Sequence, residues 1–145
     1  MCWNQYVSLN TFIFSIFVLL LIVYNNKYSP YKLNELNSIY AYFFLMSFIT
    51  MQLIEFFLWR NLNNKDLNKL FSILGALLLL LQPVASLTLL KDIDLRNKML
   101  SLYFIPAFSY FIYEFNNKDF LTVISKTGHL KWDWVDLSGN KQILL

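Results

Sequence analysis

The chain has 145 residues, of which 57% are hydrophobic, 19% are aromatic and only 14% are charged. A soluble domain usually carries about a quarter charged residues, and a soluble protein with this composition would have too little polar surface to cover its apolar blocks. The net charge of +3 is spread over the loops without a Lys/Arg cluster. Nucleic-acid binding therefore has no electrostatic support.

Residues suited to catalysis or metal binding are scarce. The chain has one cysteine, Cys2, and one histidine, His129, so an intrachain disulfide, a His/Cys metal cluster and a Ser-His-Asp set have little support. HExxH, GxSxG, P-loop and paired-cysteine motifs do not occur. Asp92 and Asp94 stand in a short loop without a third acidic residue, which favours a solvated loop over a metal site. We expect neither an enzyme nor a bound cofactor or metal.

Four apolar blocks predict membrane-spanning helices. The first, at residues 7–24, is about 27 Å long as a helix. No basic residue precedes it and no small-residue cleavage site follows, which favours an uncleaved span over a signal peptide. The other spans are expected at about 38–59, 70–90 and 99–115. The short loops between them predict that sequential helices pack antiparallel.

The residues after the fourth block predict a β-hairpin. "FLTVIS" and "HLKWDWVDL" are rich in β-branched and aromatic residues, and Lys126-Thr127-Gly128 supplies the turn between them. Trp132 and Trp134 are expected on one strand face, either against the helices or at the membrane surface. The final "KQILL" is typical of the start of an element, so residues 116–145 are expected to form a hairpin and the beginning of a further segment.

These elements predict an all-α membrane protein. Residues 1–115 are expected to form a bundle of about four transmembrane helices, followed by the short hairpin, and a truncated larger bundle is the open alternative. Lys and Arg divide seven to five between the two sides with the tail included and three to five without it. The positive-inside rule thus favours external termini only weakly. The expected partner is the lipid bilayer, with homo-oligomerisation or further C-terminal spans as open alternatives.

Gln52 and Glu55 interrupt the apolar, aromatic run "MQLIEFFLWR" of the second span, and they share one helix face. Gln52 lies about 10 Å, and Glu55 about 6 Å, from the interfacial Trp59 at 1.5 Å per residue. The competing interpretation is that Glu55 extends to water and pairs with Arg60 or a loop lysine. Gln52 is deeper, and its amide needs hydrogen-bond partners.

The third span contains a possible counterpart at Gln82-Pro83, with Ser86 one turn later. Pro83 lacks an N–H and disturbs the carbonyl of Leu79, which leaves an acceptor within the membrane. Because spans two and three are expected to be antiparallel neighbours, Gln82 is predicted to converge with the Gln52/Glu55 pair. The alternative is a helix kink with an interhelical hydrogen bond.

Two further sets of residues complete the predicted helix surfaces. Ser72, Gly75 and Ala76 form a small face suited to close helix contact. In the fourth span Tyr103, Pro106, Tyr110 and Glu114 fall near one face and could extend a polar pathway, although an aromatic belt explains most of this pattern.

The start "MCWN" with Ser8, the segment "MQLIEFFLW" and the segment "QPVASL" resemble a family of uncharacterised multi-span membrane proteins. The family occurs in large DNA viruses of algae and amoebae and in some eukaryotic microbes. The resemblance runs from residue 1 to about residue 134, and the family members have further spans beyond the equivalent of "KWDW". It implies a polytopic membrane protein and supplies no activity.

Two functions follow from the polar residues. The first is a small-solute or ion transporter, or a channel-like component, in which the intramembrane polar cluster forms a midplane site. The alternative is a structural or assembly protein of a viral or cellular membrane, in which the same side chains only hold helices together.

Overall fold

The computed structural model describes residues 4–135 and contains four helices followed by a two-stranded hairpin. The elements are α1 (Gln5–Tyr28), α2 (Ile39–Arg60), α3 (Lys65–Leu87), α4 (Ile93–Asn117), β1 (Thr122–Ile124) and β2 (Leu130–Trp132). The predicted helical bundle with a C-terminal hairpin is therefore confirmed. The "MCW" start and the "KQILL" segment lie outside the described residues.

Each helix begins at a residue whose side chain accepts backbone N–H bonds. These N-caps are Asn4, Ser38, Asn64 and Asp92, residue types that satisfy the otherwise unpaired N–H groups of a first turn. The caps explain why α3 and α4 begin five or six residues before the predicted spans at 70 and 99. Hydrophobicity marks the membrane-facing part of a helix, whereas the cap determines where the helix starts.

Of the four helices that the structure describes, α1, α2 and α3 are long and apolar enough to cross a membrane. Helix α4 lies outside this group, and its first two turns carry Asp94, Arg96 and Lys98. By length and composition the chain is an integral membrane protein with three candidate spans, and α4 is a fourth long helix beside them.

Successive helices contact one another along the chain. The extensive contacts are those between α1 and α2 and between α2 and α3, whereas α3 and α4 touch less. The rings of Phe57 and Phe71 stack across α2 and α3 with centroids 4.9 Å apart. Because the connections are short, the start of α1, the α2–α3 connection and the hairpin share one end of the bundle. We call this the hairpin end.

The hairpin has the predicted turn and a short ladder. Strands β1 and β2 are antiparallel and pair from Thr122↔Trp132 to Ile124↔Leu130. Gly128 has φ +78°, a left-handed conformation that glycine adopts without steric cost. Along β2, Leu130 and Trp132 are buried and the residue between them is exposed, so the period of two places one strand face on the helices.

Both hairpin tryptophans face the bundle. Trp132 is 4% exposed and Trp134 is 7% exposed, so the alternative of a membrane-surface position is wrong for both. Trp134 belongs to a 3₁₀ turn, Asp133–Val135, rather than to the strand. The ring centroids of the two tryptophans are 5.1 Å apart, so the turn keeps them together although only one is in the ladder.

Candidate functional site

Gln82 contacts α2 at Ser47. Gln82 Nε2 donates to the carbonyl of Ser47 at the long distance of 3.5 Å. Ser47 precedes Gln52 by five residues, about 7.5 Å along α2 at 1.5 Å per residue. The contact joins α3 to a backbone group of α2, and the convergence of Gln82 with Gln52 and Glu55 stays a prediction.

Gln52 faces α1. It is partly buried and lines a partly open cavity of about 400 Å³ between α1 and α2. Thr11 and Ser15 of α1 are the other polar lining residues, and seven apolar side chains complete the wall. The deep amide of the second span therefore borders a predominantly apolar space, which we call the α1–α2 cavity.

Glu55 is buried in the packed part of α2. It is 4% exposed and lies between Ile54 and Leu58, which are 8% and 0% exposed. Leu130 of the hairpin packs against these two apolar residues. This burial argues against the hydrated, snorkelling alternative for Glu55, and its pairing with Arg60 or a loop lysine stays a prediction.

The helix continues through Pro83 to Leu87. Ser86 Oγ donates to the Pro83 carbonyl of its own helix at 2.8 Å, so it does not extend the predicted cluster. Tyr103 Oη of α4 donates to the carbonyl of Leu80 at 3.1 Å. A proline disturbs the hydrogen bonds that the carbonyls of the preceding turn accept. Here Tyr103 of α4 supplies a donor to one of those carbonyls.

The predicted polar face of α4 divides in two. Tyr103 and Glu114 point into the protein, whereas Pro106 and Tyr110 are exposed. Glu114 Oε2 lies 2.8 Å from Lys118 Nζ, and the two side chains are 6% and 33% exposed. Tyr110 nevertheless interacts with the Glu114 carboxyl group, and a polar pathway across the bundle stays a prediction. The Glu-Lys spacing of four is a helix-pairing signal that the sequence analysis did not use.

A buried polar network that was not predicted joins α3 to β1. Asn68 Nδ2 donates to the Thr122 carbonyl at 2.9 Å, and Asn68 Oδ1 accepts the Thr122 N–H at 2.8 Å. Ser72 Oγ lies 2.7 Å from Thr122 Oγ1. Asn68, Ser72 and Thr122 are 2%, 0% and 2% exposed. The side-chain amide of Asn68 thus bonds to both the N–H and the carbonyl of Thr122, as the backbone of a neighbouring strand would.

The small face of α3 receives an indole ring. A Cβ on Gly75 would lie 2.7 Å from Cη2 of Trp132, a separation too short for real side chains. Ser72 and Ala76 on the same face are 0% and 1% exposed. The predicted close contact exists, but the hairpin makes the tightest part of it rather than a neighbouring helix.

Helix α4 holds the hairpin from the other side. Lys118 Nζ donates to the Trp134 carbonyl at 3.0 Å and also pairs with Glu114. Phe120 is 1% exposed, with its ring 4.9 Å from Trp134 and 5.7 Å from Phe111. We call Asn68, Ser72 and Gly75 of α3, together with Glu114 and Lys118 of α4, the hairpin seat.

The hairpin seat extends into the apolar part of the bundle. Gly75 is ten residues from the start of α3, about 15 Å along the helix at 1.5 Å per residue. The charged residues Lys65, Asp66 and Lys69 lie at the start of this distance, and the apolar run of α3 begins at Leu70. Irregular backbone at such a depth needs protein partners for its polar groups, and Asn68 and Ser72 provide them. The sequence contained the signal as Asn68, Ser72 and Ala76 at intervals of four, one helix face.

The side chains of the α1–α2 cavity and of the hairpin seat are suited to hydrogen bonding and packing. Within residues 4–135, no group of three or more His, Cys, Asp or Glu side chains is placed to hold a metal ion. Comparisons of the chain with protein-family models, curated proteins and solved structures find no match.

Proposed function

We propose that this membrane protein acts as a structural or assembly component, a bundle of fixed shape. The resemblance to multi-span proteins of large DNA viruses suggests a viral or cellular membrane as the setting. The observation that carries the proposal is the hairpin seat, in which buried polar side chains are used to fix one element against another.

The other intramembrane contacts support the same function. The Gln82 amide bonds to a carbonyl of α2, and the Tyr103 hydroxyl bonds to a carbonyl of α3. Each joins two helices at a different level of the bundle. Interhelical hydrogen bonds of this kind stabilise membrane proteins by about 0.6 kcal/mol on average, and a pathway for ions would instead require polar groups that follow one another along a common channel.

Reconstitution tests this proposal directly. Wild type, Glu55→Gln and Gln82→Leu are placed in liposomes, where proton and ion flux are measured, and in detergent, where thermal unfolding is measured. A structural role predicts no flux above that of empty liposomes for any of the three, with lower unfolding temperatures for the variants. A proton- or ion-dependent current that Glu55→Gln abolishes would overturn the proposal.

A second candidate is small-solute transport, which the α1–α2 cavity favours because the Gln52 amide borders it inside the span. In this case uptake of a solute by proteoliposomes should fall in Gln52→Leu and remain in Gln82→Leu. Equal uptake by protein-free liposomes would remove this candidate and leave the structural function unaffected.

A further inference from the structure

We infer that the α1–α2 cavity binds a lipid with a single hydrocarbon chain and an uncharged hydroxyl or carbonyl group. The volume of about 400 Å³ lies within the range of about 300–1,000 Å³ that is usual for small-molecule pockets. The site is separate from the hairpin seat, and it stands whether or not the proposed structural function is correct.

The α1–α2 cavity is long and narrow. The lining residues of α1 run from Thr11 to Ile22, about 16.5 Å at 1.5 Å per residue. Averaged over the same length, the cavity has the width of one extended hydrocarbon chain.

The lining determines the chemistry of the ligand. Seven of the ten lining residues are apolar, among them Val18, Leu19 and Phe48, and none is charged. The polar lining residues are Thr11, Ser15 and Gln52, whose hydroxyl and amide groups can both donate to and accept from a neutral oxygen function. An apolar chain with one neutral polar group matches this distribution.

The depth of Gln52 distinguishes this lipid from an ordinary phospholipid. Gln52 lies eight residues before Arg60, about 12 Å into α2 at 1.5 Å per residue. Phospholipid headgroups lie outside the hydrocarbon core of ~30 Å, and a charged group within the core costs about 2.5–3.5 kcal/mol on insertion scales. A ligand whose polar atom reaches Gln52 is therefore uncharged.

Photolabelling tests the inference with a diazirine-bearing long-chain fatty alcohol in phosphatidylcholine vesicles that contain the full chain. Mass spectrometry should locate the label on α1 residues 11–22 and α2 residues 45–52. Because one hydrogen bond contributes about 0.5–1.5 kcal/mol, Gln52→Leu should lower labelling about two- to tenfold. Gln82→Leu is the matched control, since it makes the same change outside the cavity, and it should leave labelling unchanged.

Two further comparisons complete the design. A diazirine-bearing phosphatidylcholine should label the exposed helix faces without preference for the cavity and without dependence on Gln52. Ser15→Phe should fill the cavity and remove the alcohol labelling, with thermal unfolding in detergent showing that the variant is folded. Alcohol labelling spread over all exposed faces, or equal in wild type and Gln52→Leu, would overturn the inference even if Ser15→Phe does not fold.

Discussion

The two halves of the bundle each bury an asparagine. Comparing them shows how the surroundings of the same side chain determine how much it contributes to stability. In the α1–α2 half, Asn26 is 5% exposed, accepts the Leu33 N–H at 2.8 Å and donates to Tyr42 Oη at 3.0 Å. In the other half, Asn68 bonds to both backbone groups of Thr122. Leu33 is 44% exposed, whereas Thr122 is 2% exposed. If the asparagine side chain were removed, water could therefore reach the Leu33 N–H but not the backbone groups of Thr122.

Packing is also looser in the α1–α2 half than in the half formed by α3, α4 and the hairpin. Helices α1 and α2 leave a cavity of about 400 Å³ between them. Helices α3 and α4 enclose the hairpin so closely that Gly75 has no room for a Cβ beside Trp132. A side chain that borders a cavity makes few contacts, so truncating it removes little packing energy. A side chain in a filled core makes many contacts, and truncating it leaves a new cavity. The following variants test this difference, with unfolding free energies measured by denaturant titration in detergent micelles.

A large loss is expected for Trp132→Ala. Removing a buried aromatic side chain from a filled core costs about 3–5 kcal/mol. Leu19→Ala in the other half should cost less than about 2 kcal/mol, since Leu19 already borders the cavity. Trp132→Phe should cost less than Trp132→Ala, because the indole N–H has no acceptor among the described residues. Equal losses for Trp132→Ala and Leu19→Ala would remove the proposed difference in packing.

The asparagines provide a matched pair of substitutions. Asn68→Ala leaves a buried N–H and a buried carbonyl of Thr122 without their partner, which should cost about 2–6 kcal/mol at about 1–3 kcal/mol per unsatisfied group. Asn26→Ala exposes its partners to water and should cost about 1 kcal/mol. Asn63→Ala, at an exposed position of the α2–α3 connection, is the control. A larger effect at Asn26 than at Asn68 would contradict the argument from rehydration.

Gly75→Ala tests the close contact with Trp132. Overpacking should cost about 1–3 kcal/mol, although alanine is intrinsically better than glycine in a helix by about 0.5–1 kcal/mol. In the Trp132→Ala background the clash is absent, and the same substitution should be neutral or stabilising. A double-mutant cycle measures this change, and a cycle with no coupling would show that the ring does not limit residue 75.

The ion pairs of the hairpin region should differ according to exposure. Lys118→Met removes the cation beside the buried Glu114 carboxylate and the side-chain donor to the Trp134 carbonyl, but Lys118 is partly solvated, so we expect a cost of about 1–2 kcal/mol. Lys69 lies 3.6 Å from Asp119 with side chains 47% and 67% exposed. Lys69→Met should therefore change stability by less than about 0.5 kcal/mol. The reverse order would mean that Lys118 contributes little to holding the hairpin.

A small effect is also expected for Tyr103→Phe. The substitution removes only the hydroxyl that donates to the Leu80 carbonyl, and membrane hydrogen bonds of this type average about 0.6 kcal/mol. Tyr113→Phe is the control, because Tyr113 is 63% exposed. If both variants unfold at the same denaturant concentration as wild type, the Tyr103 contact does not join α3 to α4.

The sequence by itself determined the elements of this protein. Apolar runs predicted the helices, short loops predicted their antiparallel order, and Gly128 with its flanking strands predicted the hairpin. All of these depend on residues close together in the chain. Even the helix starts were present in the sequence as Asn64 and Asp92, although hydrophobicity alone placed them several residues late.

Only the tertiary structure decided which polar groups meet. Asn68 bonds to Thr122 across 54 residues of sequence. The residues that surround each of them in the sequence give no sign of this pairing. Gln82 donates to the Ser47 carbonyl, and this partner depends on how the side chains of two helices pack rather than on the pattern within either helix. The small face of α3 was visible in the sequence, but its occupant was the Trp132 ring. Spacing within a helix determines which residues share a face, and the fold of the whole chain determines what that face contacts.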